Sequence, residues 1–246
     1  MKKVTVLFIF SFFMTHIVSA SANERLVFGV VQENFDQLVS AEIIKVVYQK
    51  IGISVDFVKL PGKRSLKESD QGRIDGEVSR VSEVGDEYSN LIKVSTPITF
   101  IEATVFSARH FFDITSCEAL KHYQIAIVRG LKHAELCTKG IKGVNVVNHL
   151  VKAFELLEAN RVDLVITSKI NGLYLSQKMG LSSIKPLTPS LAKLPVYHFI
   201  NRQHADLVPK INEVLLAMQA NQELLKLRQQ IIERLKNDQQ LTIYKI

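Results

Sequence analysis

Tryptophan is absent from this chain, and cysteine occurs only twice. Two cysteines are too few for a zinc ribbon or a disulfide-dense miniprotein. There is no Ser-His-Asp order of catalytic residues, no His-Glu-x-x-His helix and no phosphate-cradling glycine loop, so the common hydrolase, zincin and nucleotide signatures are missing. No dense basic block interleaved with aromatics occurs either. The net charge of +7 therefore reads as solvated surface rather than a nucleic-acid footprint. What remains is a globular composition, 47% hydrophobic and 22% charged, in 246 residues, which is enough to bury a sizeable core.

The first segment reads as an address. Lys2 and Lys3 precede an apolar run containing Val4, Val6, Leu7, Phe8, Ile9, Phe10, Phe12 and Phe13, followed by small-x-small triplets ending at Ala20 and Ala22. This is the pattern of a secretory signal peptide over 1–22, with cleavage after Ala20 or Ala22. The apolar run, at ~10 residues, is short for a membrane span of ~20. No later run is long and apolar, so a soluble periplasmic protein is expected. In that oxidising compartment Cys117 and Cys137 are expected to form a disulfide; two free buried thiols are the alternative.

Beyond residue 22 the pattern alternates. Strands are expected at 25–31, 53–60, 74–79, 124–128, 144–147 and 161–166, with helices at 37–50, 64–70, 132–138, 150–159 and 169–179. Asp36 is the expected cap of the first helix. Two extended runs near 99–108 and 194–200 separate the two βα sets. Helices over 205–218 and 222–236 close the chain, their apolar residues recurring at core spacing. Alternating order of this kind argues for mainly parallel sheets covered by helices. Ligands of such folds sit at the carboxyl ends of the strands or in a cleft between lobes.

Three ordered stretches carry a resemblance: Gly72-Arg73-Ile74-Asp75-Gly76-Glu77, then Tyr88-Ser89-Asn90-Leu91 leading to Thr96-Pro97-Ile98, then the run from Leu156 to Ile166 through Glu158, Asn160 and Asp163. Together, over nearly the whole chain past residue 22, they resemble the periplasmic solute-binding proteins of the amino-acid type, family 3. The resemblance implies an α/β, two-lobed periplasmic binding protein type II fold with two hinge strands. The lobes would comprise 23–104 with 197–246, and 105–196. It also implies a monomer that captures a small anionic or zwitterionic ligand, without a cofactor or metal, and is read by an inner-membrane permease of an ABC-type transporter. A ligand-sensing subunit of a signalling receptor is the alternative. Enzymes with this fold exist, dehydratases among them. Catalysis here would fall to Glu33, Glu77 or His133.

The ligand positions that the resemblance implies are Ser79 and Arg80 after the strand holding Asp75, Glu33 and Phe35 after the first strand, and Arg129, Gly130 and Lys132 after the strand at 124–128. Gly130 keeps a glycine that offers a backbone N–H to a carboxylate in the family, but the hydroxyl residue that usually follows is lost. Thr167 and Ser168 stand where the family places an acid for a ligand's ammonium, which weighs against an ordinary α-amino acid. Arg64, Arg80 and Arg129 are the candidates to grip a carboxylate through paired donors. His149 and His198 read as surface or capping residues.

Overall fold

The computed structural model describes residues 25–238 and 241. The expected signal peptide lies outside the described residues. The chain runs β1 (Arg25–Val31), α1 (Phe35–Lys50), β2 (Ser54–Leu60), α2 (Gly62–Asp70), β3 (Gly76–Arg80), α3 (Val84–Glu87), β4 (Leu91–Lys93) and β5 (Thr99–Ser107). A 3-10 turn at Cys117–Leu120 follows, then β6 (Ile125–Val128), α4 (Lys132–Cys137), β7 (Val144–Val147), α5 (Leu150–Glu158), β8 (Leu164–Ser168) and α6 (Lys169–Lys178). The chain ends through β9 (Lys185–Pro186), β10 (Ala192–Asn201), a 3-10 turn at Arg202–Leu207, α7 (Val208–Ala220) and α8 (Glu223–Asn237).

The strands form one continuous path, β2-β1-β3-β10-β5-β8-β6-β7, with β4 on β10 and β9 on β5. In the first half β1 runs parallel to both β2 and β3. In the second half β6 runs parallel to both β7 and β8. Parallel central strands are covered on both faces and read as near-continuous apolar runs. Accordingly β3 and β8 are buried at every position. One apolar cluster fills the first half and extends along α5 and α6, and a second sits around Val105, Leu120, Ile125 and Leu164.

The two extended runs are β5 and β10. They lie antiparallel, Val196 opposite Thr99 through Ala192 opposite Ala103. Past that ribbon β5 continues along β8, and β10 continues along β3 and β4. The ribbon thus joins the two halves, as two hinge strands would. Cys117 and Cys137 form a disulfide across a sequence separation of 20. Among the described residues no helix is long and apolar enough to cross a membrane.

Local differences from the expected elements have simple causes. The cap of α1 is Asn34, whose side chain accepts from Gln37 N–H, so the helix starts at Phe35 and Asp36 is inside it. Helix α2 starts at Gly62, directly after Pro61, rather than at Arg64. Strand β4 has only three residues and begins at Leu91, where its pairing partner β10 ends at Asn201.

Candidate functional site

The carboxyl ends of four parallel strands face one another across the ribbon. From the first half come the residues after β1 and the end of β3; from the second half come the residues after β6 and the end of β8. They enclose a cavity of about 110 Å³ lined by Glu33, Asp36, Ser79, Arg80, Arg129, Gly130, Lys132, His133, Thr167 and Ser168, with Ile101 and Val196 of the ribbon as its back wall. That is smaller than the cavity of about 150 Å³ that accommodates benzene, so the enclosed space is narrow as the two halves stand.

Eight of the ten sequence-derived ligand positions meet at this cavity; Arg64 and Phe35 do not. Arg64 is exposed on α2, next to Glu68 at 3.9 Å. Starting the helix at Gly62 turns Arg64 to the outer face, where an i, i+4 carboxylate takes it. Phe35 is wholly buried and packs on Tyr174 with ring centroids 4.6 Å apart, so it is core rather than a cleft wall. His198 also departs from its expected surface place. It is fully buried, its Nδ1 donating to the Glu77 carbonyl at 2.8 Å and its Nε2 lying 2.9 Å from the Tyr48 hydroxyl.

Several cleft groups are already engaged within the chain. Arg80 is buried, and its Nε and Nη2 both donate to Glu77 Oε2 at 2.8 and 2.5 Å. Ser65 and Ser69 hydroxyls donate to the other oxygen of Glu77, each at 2.6 Å. The pair is therefore neutral as a unit, and Arg80 Nη1 carries none of these bonds. Ser79 Oγ donates to Ser40 Oγ at 2.8 Å and accepts from Gln37 Nε2 at 3.0 Å. Ser79 and Arg80 end strand β3 itself rather than a loop after it. The Gly130 N–H donates to Glu135 Oε1 at 2.7 Å, so a side chain of α4 holds the place that the resemblance assigns to a ligand carboxylate. Arg129 keeps the freest guanidinium, exposed and bonded only through Nε to Asn148 Oδ1 at 3.3 Å among the described residues.

The two halves touch around the cavity. Phe35 N–H donates to Asn171 Oδ1 at 2.8 Å, and Ser168 Oγ donates to Asp36 Oδ2. His149 Nδ1 lies 2.7 Å from Glu33 Oε2, and Lys132 Nζ reaches both oxygens of Glu87 at 2.8 and 3.0 Å. The backbones meet too: a Cβ on Gly62 would stand 3.4 Å from the Gly130 carbonyl. Gly130 has a φ of 82°, a left-handed value that favours glycine there.

Sequence reasoning missed Asp36 as a cleft residue, having taken it for a cap. Burial pushes its carboxyl up to about 6, against the lowering effect of Ser168 and of the more distant Arg228 charge. Asp36 and Glu33 of the facing half place carboxyl groups at the cavity, where Thr167 and Ser168 have none. His133 is buried, its imidazole pushed down to about 4 by desolvation, and its Nε2 has no hydrogen-bond partner among the described residues. It is a neutral ring beside the cavity.

No protein-family model matches the chain. A protein of Shewanella oneidensis described only as uncharacterized is 23% identical over 185 residues, covering 69% of this chain and 66% of that relative, just under two thirds of its length. Among solved structures, a histidine kinase sensor domain with similarity to periplasmic binding proteins superposes with a TM-score of 0.71 at 19% identity, over 85% of this chain and 96% of the other. The GluR0 ligand-binding core in complex with L-glutamate gives 0.71 at 16% identity, over 87% and 99%. An ancestral arginine-binding protein bound to glutamine gives 0.67 at 19% identity, over 84% and 96%. The chain has the two-lobed α/β fold of the periplasmic binding proteins, in the form found among amino-acid-binding members.

Proposed function

We propose that this protein is an extracytoplasmic solute-binding protein that holds a small carboxylate-bearing, amino-acid-like molecule between its lobes. The observation that carries the reading is the cavity, walled by strand ends of both halves and holding cations and carboxylates on separate elements. Arg129 and Lys132 of the second half, with the remaining Nη1 of Arg80, would take the ligand carboxylate. Asp36 and Glu33 of the first half would take an ammonium group. A zwitterion satisfies both sets, so neither charge is buried without a partner.

The lobes divide near residue 104 in β5 and 196 in β10, where each strand changes partner. Ligand that contacts both lobes stabilises their closed arrangement by its differential affinity. The N-terminal address pattern supports export to the periplasm, where a membrane permease of an ABC-type transporter would read the closed form. The match to a histidine kinase sensor domain, no weaker than that to the glutamate-binding core, supports a second reading in which the membrane partner is a signalling receptor. Binding rather than catalysis fits the candidate acids and bases: Glu77 is fully engaged by Arg80, Ser65 and Ser69, and Glu33 faces His149.

Titration calorimetry with glutamate, glutamine, arginine and succinate tests this. One of the α-amino acids is expected to bind with one-to-one stoichiometry, and Arg129→Ala to weaken it at least tenfold. Absence of binding by all four, or binding untouched by Arg129→Ala, overturns the reading.

A further inference from the structure

A second cavity lies on the opposite face of the hinge ribbon. It measures about 360 Å³ and is walled by Phe100, Lys193 and Pro195 of the ribbon and by Leu224, Leu225 and Arg228 of α8 and its start. Side chains alternate across a strand. The same two strands therefore turn Ile101 and Val196 to the cleft and Phe100, Lys193 and Pro195 to this back cavity. Phe100 and Pro195 are register partners, which sets both on the ribbon floor.

The chemistry of this cavity is uneven in a specific way. Its lining is apolar apart from glutamines, a threonine and two cations, and it contains no carboxylate. Both cations sit on one ring: Lys193 Nζ is 3.8 Å and the Arg228 guanidinium carbon 4.3 Å from the Phe100 centroid. Neither has an ion-pair partner among the described residues. Desolvation lowers the affinity of Arg228 for its proton, against the raising effect of the Asp36 and Glu102 charges nearby. Leu225 stands over the cavity 54% exposed, an apolar rim with nothing from the described chain covering it.

We infer that the back of the hinge is a binding site for a free medium-chain monocarboxylate, its anionic head between Lys193 and Arg228 and its aliphatic tail along Phe100, Pro195 and Leu225. Glu102, opposite Lys193 in the ribbon register, is taken by Lys169 at 3.3 Å, so two cations beside an apolar lining without a carboxylate select one anionic group attached to an apolar body. Because this site and the cleft share the ribbon as a wall, occupancy here acts on the element that bends when the lobes move. Arg228 adds an electrostatic link, since its charge is felt by Asp36 on the cleft side.

Titration of the wild-type chain with decanoate below its micelle concentration tests the inference, with acetate, decanol and anionic phospholipid vesicles as comparators. Saturable one-to-one binding of decanoate is expected, at least tenfold tighter than decanol and with none for acetate. The exposed change Leu225→Glu, checked for an unchanged circular dichroism spectrum, is expected to weaken decanoate at least tenfold, as is Lys193→Gln with Arg228→Gln. Arg129→Ala in the cleft is expected to leave decanoate affinity within twofold. No saturable binding, binding undiminished by Leu225→Glu, loss on Arg129→Ala, or association with vesicles alone overturns the inference.

Discussion

Arg80 places two donors on a single oxygen of Glu77, at 2.8 and 2.5 Å, while Ser65 and Ser69 hold the other oxygen. Both residues are buried, Glu77 completely. Removing one member of such a pair leaves an uncompensated charge in a low-dielectric interior. Glu77→Gln is expected to destabilise the fold by about 3–5 kcal/mol. Urea unfolding checks this; a change below about 1 kcal/mol would place the pair in contact with solvent.

Asp36 supplies a test of opposite sign. Its folded value, about 6, lies above the ordinary 3.8, so its contribution to stability is complete below pH 3.8 and is lost as pH rises through about 6. The loss amounts to about 3 kcal/mol. Asp36→Asn can still accept from Ser168 but carries no charge. The variant is expected to match wild type near pH 3.5 and to exceed it in stability at pH 7.5. Parallel stability curves across that window would contradict the assignment of a buried, proton-retaining carboxyl.

His198 and His133 work the other way. Burial pushes both from 6.5 down to about 4, so each contributes stability above pH 6.5 that is lost as pH falls through about 4. With Nδ1 donating to the Glu77 carbonyl, neutral His198 offers Nε2 as the acceptor for the Tyr48 hydroxyl. Ring resonances of these two histidines are expected to remain those of neutral imidazole at pH 5.5. A titration midpoint near 6.5 for either would show that it is not enclosed as described.

The disulfide ties the 3-10 turn at Cys117 to Cys137, the last residue of the short helix that carries Lys132 and His133 to the cavity. Closing a loop of this length stabilises by about 3 kcal/mol in the chain-entropy model. Reduction is therefore expected to lower unfolding free energy by about that amount. It is also expected to weaken the cleft ligand more than a distant change of equal cost does. Equal unfolding midpoints with and without reductant would contradict it.

The alternation of strands and helices was legible because buried parallel strands and amphipathic helices leave periods in the sequence, and the two runs that broke the alternation are the paired strands β5 and β10. Arg129, Gly130, Thr167 and Ser168, placed at strand ends by the family resemblance, line one cavity. What was hidden lay in pairings across long separations. Nothing local says that Asp36 meets Ser168 or that the Phe35 N–H meets Asn171. Two cap-forming residues, Asn34 and Asp36, stand two positions apart, and propensity alone does not choose between them. The choice decided whether Asp36 was read as a cap or as a cleft carboxyl. Arg64 was misplaced by a helix start two residues early, enough to turn a side chain from one face to another. For Arg80, the sequence does not say that a strand neighbour three positions back consumes two of its donors.

The central claim is that two halves hinge on β5 and β10 and close on a small molecule. Small-angle scattering of the wild-type chain, with and without a saturating amino acid from the calorimetric set, tests it most directly. The radius of gyration is expected to fall on ligand addition. Identical scattering profiles at demonstrated saturation would contradict closure as the means of capture.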